Sequence, residues 1–217
     1  MAEHHEKNSE RPYLYLITPP VIEDLEAFAV KLDEALTGQT VASVQLRLKG
    51  VDDEVVIAAA ERLMPIAQKH EIAFIINDSV AITAAVNADG VHLGQGDGDV
   101  REARKALGYE KAIGVTCHDS IDLAFTAGDQ GADYVAFGAF YETTTKPSKF
   151  RPEPDIIDHW ITATELPCVA IGGITPDNVA PLIKNGAHFI AVCSYVWNHA
   201  DGPAAAVAEF EKVFVEK

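Results

Sequence analysis

The amino-acid sequence predicts a single-domain (β/α)8 TIM barrel, a fold of the α/β class. Short apolar runs rich in β-branched residues recur eight times along the 217 residues, and a stretch with helical spacing follows each run. The composition does not change along the chain, and no linker rich in Pro, Gly or Ser divides it. Eight parallel strands joined by helices close into a barrel, for which 217 residues is short but sufficient.

The predicted strands are nearly continuous in apolar residues, as expected for parallel strands that are covered on both faces. They span residues 13–17, 41–46, 72–76, 90–93, 112–115, 134–137, 168–171 and 189–192. The predicted helices span residues 25–36, 52–68, 78–87, 99–107, 121–130, 154–164, 176–185 and 203–215. Pro65 is expected to kink or shorten the second helix. The barrel is assigned to residues 12–217, after a disordered tail over residues 1–11.

A doubly wound open sheet is the structural alternative to the barrel. Such sheets usually have fewer strands and a glycine-rich turn after the first strand, because the backbone must approach a dinucleotide there. In this chain the first turn reads Thr18-Pro19-Pro20, which favours the barrel.

Composition excludes several functional classes. The chain has 17 Lys and Arg against 33 Asp and Glu, a net charge of −16, so we expect no nucleic-acid partner. No apolar run approaches 18 residues, so we expect no membrane partner. Three cysteines without a Cys-x-x-Cys pair fit a cytoplasmic protein rather than a disulfide scaffold. These exclusions leave small molecules as the expected partners, and the residues at the strand ends indicate that they are phosphorylated. The sequence leaves a homo-oligomer open.

In a barrel of this kind the chemistry takes place at the carboxyl ends of the strands. The second strand ends in Gln45-Leu46-Arg47-Leu48-Lys49, where Gln45, Arg47 and Lys49 alternate and can share one face. Two cations and an amide on one face suit a polyanion, and the alternative is a solvated strand end.

Two carboxylates are expected to meet in the same mouth. Asp78 follows Asn77 directly after the third strand, and Asp97 lies in a glycine-rich loop after the fourth. Mg²⁺ takes one or two carboxylates together with phosphate oxygens, so Asp78 and Asp97 are predicted metal ligands. Alternatively, Asp78 caps the next helix. His92 is expected to be a packed, hydrogen-bonded residue rather than a ligand, because Mg²⁺ prefers oxygen.

Further hydroxyl, lysine and glycine residues follow the later strands. Thr116 after the fifth strand can offer a hydroxyl to phosphate. The loop after the sixth strand reads Thr143-Thr144-Thr145-Lys146, a pattern typical of an anion clamp or of a polar surface loop. Loops seven and eight often bind phosphate in barrels, and here they contribute the residues Gly172, Gly173, Cys193 and Ser194.

The residues at these strand ends resemble those of the thiamine phosphate synthase family, which also holds the thiazole tautomerases. The resemblance runs from about Tyr13 to Trp197 and rests on motifs in a fixed order. These motifs are QLRLK at 45–49, IND at 76–78, DGVHLGQGD at 89–97, GVTCH at 114–118, GADYV at 131–135, TTTK at 143–146, AIGGIT at 170–175 and GA at 186–187.

The resemblance implies an enzyme that joins 4-amino-5-hydroxymethyl-2-methylpyrimidine diphosphate to a thiazole phosphate, giving thiamine phosphate and pyrophosphate. It implies a dissociative reaction assisted by Mg²⁺, with Lys146 and Thr116 as catalytic residues. Asp78 and Asp97 match the metal ligands. The residues matching diphosphate and pyrimidine contacts are Gln45, Arg47, Lys49, Asn77, Thr116 and Lys146. Those matching thiazole-phosphate contacts are Thr143, Thr145, Gly172, Gly173, Cys193 and Ser194.

Some positions depart from the family pattern. Leu48 and Gly96 stand where the family usually has acidic residues, and residues 147–154 replace a glycine-containing segment. The stretch 138–143 leans toward the thiazole tautomerases, which lack the paired metal carboxylates. A tautomerase and a catalytically silent binding protein for thiamine precursors are therefore the alternative functions.

Overall fold

The computed structural model describes residues 11–143 and 149–215 and shows a closed parallel barrel with the strand order β1-β2-β3-β4-β5-β6-β7-β8. The eight strands are Tyr13–Ile17, Val41–Leu46, Ala73–Asn77, Gly90–Leu93, Ala112–His118, Tyr134–Gly138, Cys168–Ile171 and Phe189–Val192, numbered β1 to β8. The (β/α)8 prediction is confirmed. Of the predicted tail, residues 1–10 lie outside the described residues.

Helices lie between consecutive strands and cover the outside of the barrel. Numbered α1 to α9, they are Leu25–Ala35, Asp53–Lys69, Val80–Val86, Val100–Leu107, Ile121–Asp129, Asp155–Ala163, Ala180–Lys184, Ser194–Trp197 and Pro203–Val215. The second of them continues through Pro65 to Lys69, so the expectation that this proline shortens the helix was wrong. The short helix α8 was not predicted, because four residues are too few to show a helical period.

Side-chain caps fix where several helices begin. Ser79 and Ser120 accept hydrogen bonds from backbone N–H groups in the first turns of α3 and α5, and Asp99 does so for α4. Because Ser79 caps α3, the neighbouring Asp78 is not needed for that role. Its carboxylate is therefore available to the barrel mouth.

The main core lies between the barrel and the helices, and a smaller apolar cluster fills the inside of the barrel. The inner cluster contains Tyr15, Ile17, Tyr134, Ala136, Val169 and Ala191. The barrel closes where β1 pairs with β8, and there Trp197 Nε1 donates a hydrogen bond of 2.6 Å to the carbonyl oxygen of Ile17. Within residues 11–143 and 149–215, every helix is too short or too polar to cross a lipid bilayer.

Candidate active site

A cavity of about 910 Å³ opens at the carboxyl ends of the strands. Its lining contains the described residues that the sequence predicted for the two substrate sides and the metal. These are Gln45, Arg47, Lys49, Asn77, Asp78, Asp97, Thr116, Thr143, Gly172, Gly173, Cys193 and Ser194. Thr145 and Lys146, which the sequence also singled out, lie outside the described residues.

Lys49, Asp78 and Asp97 form a charged cluster on one wall of the cavity. Lys49 Nζ donates to Asp78 Oδ2 in an ion pair, and the carboxyl group of Asp97 lies close enough to that of Asp78 for each to affect the pKa of the other. Asp97 Oδ2 also accepts a 2.8 Å hydrogen bond from the backbone N–H of Gly94. Asp78 has a positive φ of 67°, an uncommon conformation for a residue other than glycine. The backbone therefore turns at the strand end where this carboxylate enters the cluster.

The two carboxyl groups have opposite pKa shifts. Burial opposes ionisation of Asp78, but hydrogen bonds from Lys49 and Asp97 and the charge of Arg47 hold its pKa below the usual value. Burial and the neighbouring Asp78 raise the pKa of Asp97, and the Gly94 N–H offsets part of that effect. Two carboxyl groups in contact cannot both be ionised at low cost unless a proton or a cation lies between them.

This donor set fits Mg²⁺. Asp78 and Asp97 both offer carboxylate oxygens, and their mutual repulsion is what a divalent cation would relieve. Among the described residues, no group of three or more His, Cys, Asp or Glu could hold a metal ion. Mg²⁺ commonly takes one or two carboxylates, and phosphate oxygens and waters complete its shell.

Arg47 lies beside this cluster, and one nitrogen of its guanidinium group has no hydrogen-bond partner among the described residues. Its backbone N–H donates to Thr18 Oγ1 at 2.9 Å, which fixes the chain where it leaves β2. Its Nη1 atom is buried and has no hydrogen-bond partner within the described part of the chain. A buried guanidinium nitrogen in that state is costly, so an anionic ligand in the cavity would satisfy it.

Close backbone packing builds the opposite wall. A Cβ atom on Gly173 would overlap the carbonyl of Glu142, and the φ of Gly173 is +63°. Since no other residue fits there without strain, Gly173 allows the loop that carries Thr143 to lie against the end of β7. Tyr141 N donates to Gly172 O at 3.0 Å and strengthens that contact. This glycine pair therefore has a structural role in addition to the predicted ligand contacts.

Asn178 is a supporting residue that the sequence analysis missed. Its side-chain amide accepts a hydrogen bond from Thr175 N at 2.9 Å and donates one to Gly173 O at 3.0 Å. Its backbone carbonyl accepts a hydrogen bond from Tyr141 Oη at 2.6 Å. These bonds join the loops after β6 and β7. The short Asn-containing turn after Gly172-Gly173 is the sequence signal that could have identified it.

The sequence analysis also missed a chain of hydrogen-bonded polar side chains that crosses the barrel interior. Tyr15 and Tyr134 were taken as apolar strand residues, yet their hydroxyl groups lie 2.9 Å apart. Gln45 Nε2 donates to Tyr15 Oη at 2.9 Å, and Tyr134 Oη lies 3.1 Å from His92 Nδ1. His92 Nε2 lies 2.8 Å from Thr116 Oγ1, so the chain ends at the cavity. His92 is a packed, hydrogen-bonded residue, as expected.

The pair Cys117-His118 does not form a nucleophile site. Cys117 is buried in the core outside the barrel, and burial raises the pKa of its thiol to about 12. His118 lines the cavity instead, with its ring stacked on Phe150 at a centroid distance of 4.2 Å. A thiol that stays protonated at neutral pH is a poor nucleophile.

Comparison with known proteins gives the family. A model of the thiamine monophosphate synthase family matches residues 14–196. The chain is 52% identical over 200 residues to thiamine-phosphate synthase from Rhodospirillum centenum, covering 92% of this chain and 96% of that one. It is 50% identical over 208 residues to thiamine-phosphate synthase from Hyphomonas neptunium, covering 94% of each chain. The solved structure of thiamine phosphate pyrophosphorylase from Pyrococcus furiosus superposes with a TM-score of 0.81 at 28% identity, covering 97% and 98% of the two chains.

The fold is a (β/α)8 barrel with a cavity at its mouth, and the relatives named thiamine-phosphate synthase, which match most of the chain, identify it as an enzyme. The chain belongs to the thiamine monophosphate synthase family.

Proposed function

We propose that this enzyme couples 4-amino-5-hydroxymethyl-2-methylpyrimidine diphosphate with a thiazole phosphate to form thiamine phosphate and pyrophosphate. The single observation that carries the proposal is the cluster of Lys49, Asp78 and Asp97 beside the unpartnered Nη1 of Arg47. Two cations and two contacting carboxyl groups on one wall suit a metal-bound diphosphate. Relatives that share half of the sequence carry the name thiamine-phosphate synthase.

In this proposal the pyrimidine diphosphate lies along the wall formed by the ends of β2 to β5. Asp78 and Asp97 would hold Mg²⁺, which supplies positive charge to the diphosphate when it is bound. Arg47 and Lys49 would bind the diphosphate oxygens, and Asn77 and Thr116 would add neutral hydrogen bonds. Gln45, deeper in the barrel, would face the pyrimidine side.

The reaction we propose breaks the bond between the pyrimidine methylene carbon and the diphosphate oxygen before the new bond forms. The electron pair leaves with the diphosphate, and a pyrimidine-methyl cation remains for the thiazole nitrogen to attack. Arg47, Lys49 and Lys146 would act by stabilising the charge that grows on the leaving group. The thiazole nitrogen attacks with its lone pair and becomes a positively charged thiazolium without losing a proton, so the scheme needs neither a protein nucleophile nor a general base.

The thiazole phosphate would occupy the other wall. Thr143 and Ser194 offer hydroxyl groups there, and Gly172, Gly173 and Cys193 allow close approach of the backbone. The sequence adds Thr145 to this side. Both walls line the same cavity of about 910 Å³. This volume lies within the usual range for sites that enclose small ligands.

The experiment that tests the proposal supplies both substrates with Mg²⁺ and follows release of pyrophosphate and formation of thiamine phosphate. The controls are each substrate alone and both substrates with a metal chelator. None of these three reactions should release pyrophosphate. A thiazole tautomerase would instead isomerise the thiazole without a diphosphate, and a binding protein would do neither. Absence of pyrophosphate release with both substrates and Mg²⁺ contradicts the proposal.

A variant at His118 distinguishes a synthase from a tautomerase. It lines the cavity and is the nearest candidate for the general base that a tautomerase requires. A synthase depends on charge stabilisation, so His118→Ala should lower the coupling rate only modestly. The tautomerase would be favoured by two results together. The wild-type enzyme would isomerise the thiazole without coupling the two substrates, and His118→Ala would lose that isomerisation.

A further inference from the structure

The polar side chains inside the barrel form one continuous series of hydrogen bonds. It begins at Gln45, passes through the hydroxyl groups of Tyr15 and Tyr134 and the ring of His92, and ends at Thr116 Oγ1. The first four of these residues are buried, so this chain is held in one arrangement by the surrounding strands. Tyr134 does not line the cavity as the described residues form it, whereas Thr116 does.

The chemistry of the first donor gives the direction of one of these hydrogen bonds. Gln45 Nε2 carries only protons, so it donates and Tyr15 Oη accepts. Two arrangements of the other protons fit these distances, because a tyrosine oxygen can accept two hydrogen bonds. In the first, Tyr15 donates to Tyr134 and Tyr134 donates to His92 Nδ1; in the second, both bonds run the opposite way. Burial raises the pKa of both tyrosines, which supports hydroxyl groups that keep their protons and can donate them.

The first arrangement determines the tautomer of His92. A ring nitrogen that accepts from Tyr134 has no proton of its own, so in the neutral imidazole the proton is on Nε2. His92 Nε2–H then donates to Thr116 Oγ1 over 2.8 Å. With its oxygen accepting that bond, the Thr116 hydroxyl has its own proton left to donate, and this hydroxyl lines the cavity.

We propose that His92 is a positioning residue that Tyr134 fixes in the Nε2–H tautomer, so that Thr116 presents its hydroxyl proton to an anionic oxygen in the cavity. The inference rests on the proposed function only in taking that anion to be the diphosphate. The role is indirect, since His92 acts through the Thr116 hydroxyl and Tyr134 acts through His92. Removing a remote partner that orients a contact residue typically costs about 10- to 100-fold in metal-site proteins, and we expect the lower end of that range here.

Nitrogen-15 NMR of the ligand-free protein tests the tautomer without any turnover. Long-range proton–nitrogen spectra of the wild-type protein at neutral pH, assigned with His92→Gln, should show His92 Nδ1 in the range of an unprotonated imidazole nitrogen and Nε2 in the protonated range. Tyr134→Phe should move this ring toward the other tautomer or a mixture. A wild-type Nδ1 that carries the proton overturns the inference, whether or not the enzyme couples the proposed substrates.

Binding and kinetics test the positioning role. Tyr134→Phe keeps the ring but removes the hydroxyl, and Tyr13→Phe on the exposed start of β1 is the matched control. With Mg²⁺ and inorganic pyrophosphate as the probe, Tyr134→Phe should weaken binding about tenfold and lower kcat to a similar extent, with an unchanged KM for the thiazole phosphate. Thr116→Ser should retain pyrophosphate binding, while Thr116→Val should weaken it at least as much as Tyr134→Phe does. Equal binding and kcat in Tyr134→Phe and Tyr13→Phe overturn the positioning role.

A failure of the proposed function has a different signature. If the enzyme releases no pyrophosphate from the two substrates, the wild-type protein and all variants fail together in the activity assay. The tautomer of His92 and the effect of Tyr134→Phe on pyrophosphate binding remain measurable in that case. The two failures are therefore distinguishable.

Discussion

The ring of Tyr134 fills the space in which a Cβ atom on Gly114 would stand. The two residues lie side by side on paired strands, because Gly114 of β5 is in register with Tyr134 of β6. The absence of a side chain on one strand lets the tyrosine of the next cross the barrel interior and reach His92. The hydrogen-bonded chain thus depends on a glycine that takes no part in it.

Gly114→Ala should therefore destabilise the protein. The added methyl group would meet a buried ring that has little room to move, and overpacking of this kind costs about 1–3 kcal/mol. Urea unfolding measures the loss, and Gly96→Ala is the control, because a Cβ atom there would meet no neighbour within 4 Å. Equal stability of the two variants would show that the Tyr134 ring moves without cost.

Asp97→Asn should abolish coupling while leaving the fold intact. The variant keeps the size of the side chain and its acceptor for Gly94 N–H but removes a charge from the predicted metal pair. We expect a fall of about 100-fold or more in kcat at saturating Mg²⁺. Asp99→Asn is the matched control, since Asp99 caps α4 from the same loop and an asparagine caps equally well. Near-normal Mg²⁺-dependent turnover in Asp97→Asn would remove it from the metal site.

Arg47→Lys should raise the KM for the pyrimidine diphosphate. Lysine keeps the charge but lacks the fork that places the buried Nη1, and losing one hydrogen bond to a charged group costs about 1.5–3 kcal/mol, or about tenfold or more in affinity. Arg62→Lys is the control, because Arg62 pairs with Glu26 on the exposed surface of α1 and α2. If both variants keep the wild-type KM, Arg47 does not bind the diphosphate.

Lys146→Ala should lower kcat more than it raises the KM for the thiazole phosphate. The prediction rests on the sequence, where Lys146 follows Thr143-Thr144-Thr145 in the loop after β6. If its charge meets the leaving diphosphate, the interaction strengthens in the transition state and appears in kcat. Steady-state kinetics with each substrate varied would measure both constants. A change confined to the thiazole-phosphate KM would place Lys146 on the other wall.

Cys117 and Cys168 should resist alkylation in the folded protein at pH 8. The thiolate is the reactive form, and burial raises the pKa of both thiols to about 12, so labelling should remain slow until the pH approaches that value. Cys193 is half-buried at the cavity and should label first. Mass spectrometry after iodoacetamide treatment measures the three rates, with urea-unfolded protein as the control. Equal rates at the three cysteines in the folded protein would contradict this assignment of burial.

The strands were predictable because each is a short apolar run bounded by polar or turn residues. Five of the eight strands have the predicted bounds, and β5 differs most, extending to His118 instead of Val115. In that extension the register with β6 shifts between Thr116 and His118. An irregularity of this kind depends on the neighbouring strand, so the local sequence cannot show it.

The charged half of the site was predictable because barrel topology places strand ends together. Asp78 and Asp97 were expected to meet from the order of the strands alone, and their carboxyl groups lie close enough for each to affect the pKa of the other. The link between Tyr15 and Tyr134 was not predictable, since 119 residues separate them and both fit an apolar strand pattern. Only the register of the closed barrel brings their hydroxyl groups together.

The closure of the barrel also protects the folded chain against aggregation. Every strand in residues 11–143 and 149–215 has a partner on both sides, so these strands offer no edge that another molecule could extend. Aggregation through strand pairing must therefore begin with an opening. The seam between β1 and β8 joins the two strands most distant in sequence, and it is held on the outside by the bond from Trp197 to Ile17. Separation at this seam would turn a closed surface into two exposed strands, both rich in aliphatic and aromatic side chains.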